Sequence, residues 1–176
     1  MQPPTVDEVV AQLGLAPLPV EGGLYRQVWR SAILDAAGRP AGTAILLLLT
    51  DDPDSFSAMH RLGTDELWHF YLGDPVSLLE LRTGGISEVT VLGPDLRAGQ
   101  TVVRNVPAGT WMGASRLGGG FGWSLLGTTM APGFDATEFD ASEAGPLIRG
   151  WPQEADRIGR LVRPGTGDHR LPAGFE

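Results

Sequence analysis

The sequence contains no cysteine, and only three of its 176 residues are histidine. The lack of cysteine excludes disulfide bonds, thiolate metal sites and cysteine nucleophiles within this chain. Positive charge is also scarce, because 13 lysine and arginine residues stand against 21 aspartate and glutamate residues, a net charge of -8. This balance disfavours binding to a phosphate backbone, so we expect no nucleic-acid partner.

Long hydrophobic runs are absent as well. The most apolar stretch, residues 44–49, is far shorter than the roughly 20 residues that a membrane-spanning helix needs. No basic segment leads into an apolar segment at the N-terminus, as it would in a secretory signal. We therefore expect no membrane partner and, by default, a cytoplasmic protein.

Glycine and proline are abundant, with 25 and 14 residues. They recur between short apolar runs, which is typical of many-stranded antiparallel proteins. About ten short strands are predicted between these breakers, and their regular spacing favours an all-β sandwich or barrel. The predicted strands include residues 22–30, 44–50, 57–62, 67–72, 76–82, 86–92, 101–106, 111–117 and 121–130.

Short helices are predicted on both sides of this β region. Thr5 and Glu8 form a capping-box pattern that is followed by apolar residues at helical spacing, and Gly14 can end the helix. A C-terminal helix is predicted over about residues 152–161. We expect the remaining tail, residues 163–176, to be mobile.

The most informative stretch is residues 60–73, which read HRLGTDELWHFYLG. His60 and Glu66 are six positions apart, with Gly63 between them. Two strands joined by a short glycine-containing turn would bring both side chains to one face. We therefore predict a hairpin that directs His60 and Glu66 into one cavity together with Trp68.

This stretch resembles the first motif of the cupin superfamily. That motif has two histidines separated by one residue, then three or four residues, a glutamate, six residues and a glycine. His60, Glu66 and Gly73 match three of these positions, whereas Leu62 stands where the second histidine belongs.

A second stretch, residues 107–112, reads PAGTWM and resembles the second cupin motif, in which Met112 stands at the position of a histidine. Together with GGLYR, ELWHFYLG and APGF, it is most similar to the single-domain cupin branch called cupin-5, a domain of unknown function. The resemblance covers about residues 20–163.

The resemblance implies a double-stranded β-helix, or jelly roll, with short helices at each end. We expect one domain over residues 1–176, with its β core at about residues 20–140. The resemblance also implies a homodimer, and the apolar stretch 44–49 and the unprotected edges of an open sandwich favour one too. Sugar-nucleotide epimerases and isomerases are structural relatives of this branch.

Only part of the usual cupin metal cage is present. His60 and Glu66 remain as candidate ligands, but the thioether of Met112 is a poor partner for iron, manganese or zinc. His69 follows Glu66 by three residues, so on a regular strand it points to the opposite face. The sequence identifies no definite cofactor, and we expect at most a weakly bound divalent transition metal.

Without a metal, His60 and Glu66 are candidates for a catalytic acid/base pair. Proton abstraction next to a carbonyl needs such a pair, and the resemblance makes an isomerase or epimerase of a sugar-like or other polar metabolite the leading prediction. One alternative is a ligand-binding or metal-binding module without turnover. Another is that His60 bonds to Glu66 only to satisfy buried polar groups.

The remaining candidates are aromatic or small residues that would line a small-molecule pocket. They are Tyr25, Ser57, Trp68, Phe70, Trp111, Met112 and Trp123.

Overall fold

The computed structural model describes residues 3–165 and residue 171. In this part of the chain, eleven strands and three α-helices are present. The helices are α1 (Val6–Leu13), α2 (Ala144–Gly150) and α3 (Ala155–Arg160). The strands are β1 (Ala16–Pro17), β2 (Leu24–Arg30), β3 (Thr43–Thr50), β4 (Ser57–Arg61), β5 (Glu66–Gly73), β6 (Val76–Arg82), β7 (Ile86–Leu92), β8 (Val103–Val106), β9 (Trp111–Arg116), β10 (Trp123–Met130) and β11 (Asp140–Ala141).

The strands form two antiparallel sheets that pack face to face. The first sheet has the order β1-β2-β3-β10-β5-β8, and the second has the order β11-β4-β9-β6-β7. From β3 to β6 the chain changes sheet at every strand, and it does so again from β7 to β11. This alternation between two sheets is the arrangement of a jelly roll, so the predicted fold class is confirmed.

Helix α1 covers part of the outer face of the first sheet. Its start is fixed by the predicted capping box, in which Thr5 and Glu8 bond each other reciprocally, and Gly14 ends it with a φ of 62°. Val9 packs there with Leu48 of β3. The amphipathic pattern in the sequence therefore identified both the helix and its buried face.

Two short helices cover the outer face of the second sheet. The region predicted as one helix over residues 152–161 consists of a 3-10 turn, Pro152–Glu154, that leads directly into α3, and α2 precedes this turn. The apolar side chains of these helices pack on alternate residues of β4 and β6 that face away from the barrel. The contacting residues are Met59, Leu79, Leu81, Leu147, Ile158 and Leu161.

Strand β3 explains the apolar stretch at residues 44–49. It lies between β2 and β10, with Leu47 and Leu49 in the core between the sheets and Leu48 under α1. Because Leu47, Leu48 and Leu49 are buried within one chain, the apolar character of this half of the stretch does not require a partner subunit, whereas residues 44–46 are partly exposed. The homodimer remains a prediction on other grounds.

The predicted mobile tail, residues 163–176, falls largely outside the described residues. Within them, Arg163 lies over the ring of Phe56 at 4.1 Å and Leu171 packs against the core between the sheets. No helix in the described part of the chain is both long and apolar enough to span a membrane.

Candidate functional site

A cavity of about 50 Å³ lies between the two sheets, near the first residues of β3 and β5 and the last residue of β10. This volume holds a few water molecules, or a polar group of similar size. Apolar side chains from both sheets and from residues 131–139 form much of its wall, including Leu62, Met130 and Phe139. The polar side chains that line it are Glu21, Tyr25, Gln27, Thr43, His60, Glu66 and Thr128.

His60 is on β4 and is 2% exposed. Its Nδ1 lies 2.8 Å from the carbonyl oxygen of Ala58, and the ring of Phe139 stacks on the imidazole at 5.5 Å. A carbonyl oxygen only accepts hydrogen bonds, so Nδ1 carries a proton. In the neutral ring Nε2 therefore holds the lone pair, and no described residue donates a hydrogen bond to it.

Glu66 is the first residue of β5 and is also buried. Its Oε2 accepts a 2.8 Å hydrogen bond from Nε1 of Trp68, and its carboxylate also bonds the hydroxyl of Thr128. Burial raises the pKa of Glu66 to about 7, although His60 and the two hydrogen bonds favour the ionised form. The carboxylate of Glu21 raises this pKa further, because two negative charges repel.

His60 and Glu66 face each other from opposite sheets. The predicted hairpin between them is wrong, because β4 pairs with β9 and β11, whereas β5 pairs with β10 and β8. The short link at residues 62–65 crosses from one sheet to the other. Both strands nevertheless turn the expected residue inward, so the two side chains line one cavity.

Glu21 is a site residue that the sequence analysis missed. Its Oε1 accepts a 2.7 Å hydrogen bond from the hydroxyl of Ser57, and its carbonyl oxygen accepts one from the backbone of Ala58. The preceding residue, Val20, has a φ of 65°, which is unusual for a β-branched side chain. Glu21 lies in the loop before β2 and outside both motifs, so no sequence pattern points to it.

The other predicted pocket residues are distributed differently. Tyr25 lines the cavity, whereas Ser57 is not among the described lining residues and contacts the site through its hydrogen bond to Glu21. Trp68, Phe70 and Met112 are buried in the core between the sheets and are not among the described residues that line the cavity. Trp68 reaches the site through its hydrogen bond to Glu66. Their roles in ligand binding stay predictions.

Trp111 and Trp123 lie in the two outer layers. Trp111 packs under the C-terminal helices, with the guanidinium of Arg61 at 4.8 Å, and its neighbour Met112 points inward instead. Trp123 packs under α1 and donates a 2.8 Å hydrogen bond to the carbonyl oxygen of Pro4. Strand alternation therefore places both tryptophans outside the cavity, which corrects the expectation that they line it.

The residues present do not fit a tightly held metal. Met112 is the register partner of His60 on β9, and Leu62 lines the cavity where a second histidine would project. Among the described residues, no group of three or more histidine, aspartate or glutamate side chains is placed to hold a metal ion. His69 projects from the outer face, where its Nε2 lies 3.1 Å from the hydroxyl of Thr129.

The fold and this cavity define a cupin, a fold that binds small molecules. The model of one family, the cupin superfamily group DUF985, matches residues 7–142. The chain belongs to this family. None of the curated proteins matches the chain.

Solved structures with similar folds include two that match this chain over almost their whole length. Protein SO0799 from Shewanella oneidensis has a TM-score of 0.84 and 30% identity, over 92% of this chain and 99% of that one. A hypothetical protein from Leishmania major has a TM-score of 0.79 and 30% identity, over 90% and 99% of the two chains. A cupin 2 domain-containing protein from Halorhodospira halophila, at 14% identity and a TM-score of 0.52 over 82% and 85%, shares the fold alone.

Proposed function

We propose that this protein binds a small polar metabolite in the cavity and that His60 and Glu66 transfer protons to and from it, as in an isomerase or epimerase. The observation that carries this proposal is the shared cavity of the two side chains. One of them holds a free lone pair at Nε2, and the other is a carboxyl group with a pKa of about 7.

The reaction class follows from the protonation states that each group can take. Nε2 of neutral His60 removes a proton from a carbon next to a carbonyl group, and the electron pair of the broken C–H bond moves to the carbonyl oxygen. Protonated Glu66 gives its proton to that oxygen and forms an enol. In a hydroxycarbonyl compound, protonated His60 then returns its proton to the former carbonyl carbon, and the Glu66 carboxylate removes the proton of the neighbouring hydroxyl, which becomes the new carbonyl group. Both residues recover their starting states, and no other reactant is needed.

The raised pKa of Glu66 makes this exchange feasible near neutral pH, because comparable fractions of the acid and of the carboxylate are present. A general acid works best when its pKa is near the working pH. An exposed glutamate, with a pKa of about 4.3, would be almost fully ionised there.

The alternative function is ligand binding without turnover. The hydrogen bonds from Trp68 and Thr128 to Glu66 favour this candidate, because they also serve to satisfy a buried carboxyl group. The two candidates differ in what His60 and Glu66 do to the ligand. A binding module needs the cavity wall but no proton exchange.

Deuterium incorporation from D2O into a panel of small hydroxyketones and hydroxyaldehydes, followed by proton NMR, tests the proposal. We expect incorporation with the wild-type protein, reduced at least about 100-fold in His60→Ala and in Glu66→Gln. His69→Ala and Glu143→Gln are matched controls, because His69 lies on the outer face of β5 and Glu143 is exposed.

The controls should exchange deuterium at the wild-type rate. Exchange that survives both His60→Ala and Glu66→Gln would contradict the assigned roles. A compound that raises the melting temperature without exchange would favour the binding module instead, since any ligand of the native state stabilises it.

A further inference from the structure

Three of the polar side chains at the candidate site offer acceptors, whereas the hydroxyl and amide groups of the others can both donate and accept. Glu21 and Glu66 present carboxylate oxygens, and neutral His60 presents the lone pair of Nε2. Ser57 bonds Glu21, and both Trp68 and Thr128 bond Glu66, but a carboxylate has about four lone-pair sites, so each carboxylate can still accept hydrogen bonds from a ligand. A ligand that complements this set must bring donors.

Permanent positive charge is missing from the described residues that line the cavity. The sequence has no lysine, and no arginine is among these residues. Arg39 lies nearby but bonds Thr64, Glu138 and the carbonyl oxygen of Gly133, close to the loop that supplies the aromatic wall. An anionic ligand would meet two carboxyl groups, and among the described lining residues only His60 can carry a compensating positive charge.

Two further features match a cation that carries several N–H donors. Phe134 and Phe139 form part of the wall, and aromatic faces attract cations. His60 is 2% exposed and its Nε2 has no described donor, so a ligand in the cavity can donate a hydrogen bond to this atom. A primary ammonium group has three donors and no acceptor, so it complements acceptors of this kind.

We infer that the cavity binds its ligand through a small primary ammonium group and rejects carboxylates and phosphates. This inference rests on the proposed function in one respect, namely that the cavity holds a small molecule. It adds the charge and the functional group of that molecule. A metal cation fits less well, because the described residues provide no cluster of three ligands for one.

Three two-carbon probes of nearly equal size test this inference: ethanolamine, ethylene glycol and glycolate. They carry, respectively, an ammonium, a second hydroxyl and a carboxylate beside the same hydroxymethyl group. Binding to the full-length protein is measured by NMR titration of the His60 ring signals and by the shift in melting temperature. We expect ethanolamine to bind at least about tenfold more tightly than the other two.

The variant Glu21→Gln supplies the decisive comparison. Gln keeps an oxygen that accepts the hydrogen bond from Ser57 but removes the charge. We expect at least about a tenfold loss of ethanolamine affinity and no change for ethylene glycol, whereas Glu143→Gln should bind all three as the wild type does. Unchanged ethanolamine affinity in Glu21→Gln would overturn the inference.

The dependence of affinity on pH gives an independent test. Because the pKa of Glu66 is about 7, a proton competes with the ammonium group for this carboxylate. Ethanolamine affinity should rise from pH 6 to pH 8, and in Glu66→Gln this rise should be absent. An affinity that falls over this range would contradict the inference.

The remaining outcomes separate this inference from the proposed function. If ethylene glycol binds and ethanolamine does not, the ammonium assignment fails and the proposed proton exchange stands. If none of the three probes binds, the assignment also fails, and the deuterium-exchange test alone decides the function. Stoichiometric binding of Zn²⁺ or Mn²⁺ that blocks ethanolamine would replace the ammonium group with a metal ion.

Discussion

His60 and Glu66 face one cavity from opposite sheets, although only five residues separate them in the sequence. The link between β4 and β5 crosses the barrel, so the distance between the two side chains depends on the packing of the sheets. The hydrogen bonds from His60 to the carbonyl oxygen of Ala58 and from Trp68 to Glu66 fix each side chain to its own strand. A ligand between them would be bonded to both sheets.

The first prediction concerns stability and pH. The folded state holds a proton on Glu66 up to a pKa of about 7, whereas the unfolded chain releases it near 4.5. Stability relative to Glu66→Gln should therefore fall as pH rises from about 4.5 to 7 and then level off, by on the order of 3 kcal/mol. Urea unfolding of both proteins at pH 5 and pH 8 measures this, with Glu143→Gln as the control that keeps the wild-type dependence.

The second prediction concerns the tautomer of His60. Because Nδ1 donates to the carbonyl oxygen of Ala58, the neutral ring should carry its proton on Nδ1. Nitrogen-15 NMR of the imidazole distinguishes the two tautomers directly. A neutral ring with its proton on Nε2 would remove the lone pair on which the proposed chemistry depends.

The third prediction separates residues of the cavity from residues of the outer layers. Trp123→Ala should lower stability by about 3–5 kcal/mol, because a fully buried indole under α1 is lost. It should leave ligand affinity unchanged. Tyr25 lies at the cavity wall, so Tyr25→Phe should change the ligand affinity but keep the stability within about 1 kcal/mol of the wild type. A Trp123→Ala protein with wild-type stability would contradict the layer assignment.

The fourth prediction concerns an ion pair between the two sheets. Glu80 on β6 has a side chain that is 0% exposed, and it accepts hydrogen bonds from Arg104 on β8 and from Arg82. Arg104→Ala should cost about 3 kcal/mol, because it leaves a buried carboxylate with less compensation. The double variant Glu80→Met, Arg104→Met should lose less stability than Arg104→Ala, because it leaves no buried carboxylate without its partner.

An exposed ion pair provides the control for this prediction. Arg61 and Asp140 are bonded at 2.6 Å, but their side chains are 41% and 53% exposed. Disruption of this pair by Asp140→Asn should cost only about 0–1 kcal/mol, since water screens it. Chemical unfolding of the variants compares the two pairs, and equal costs would contradict the structural role of Glu80.

The fifth prediction is a homodimer. Besides the family resemblance, exposed apolar side chains favour it, since Leu67, Tyr71 and Val103 lie near one another on the outer face of the first sheet beside its edge strand β8. Sedimentation at micromolar concentration should give about twice 18.7 kDa. If a second copy binds this face, Tyr71→Asp should dissociate the dimer. Phe121→Asp changes another exposed aromatic residue and should leave the dimer intact.

Much of the fold was predictable because local patterns report local burial. Alternating residues identified strands such as β5, and the pair Thr5 and Glu8 identified the start of α1. Alternation also indicates which residues share a face, so the inward direction of His60 and of Glu66 was predictable. It does not indicate to which sheet a strand belongs, so a link between two sheets, such as residues 62–65, has the same pattern as a hairpin turn.

The cavity wall was less predictable, because several of its residues come from loops. Glu21, Phe134 and Phe139 follow no strand or helix period, and tertiary packing alone brings them to His60. Tryptophan is equally suited to a pocket and to a core, so composition did not separate Trp111 and Trp123 from the site. Their outer-layer positions depend on helices α1, α2 and α3, which the motifs do not describe.

The most direct measurement is a carbon-13 NMR titration of the Glu66 carboxyl group in the full-length protein, with Glu66→Gln used to assign its signal. The account requires a buried carboxyl that exchanges its proton near neutral pH beside His60, and it predicts a midpoint, and thus a pKa, of about 7. Saturating ethanolamine should lower that midpoint. A midpoint near the ordinary glutamate pKa of 4.5, unchanged by Glu21→Gln, would contradict the account.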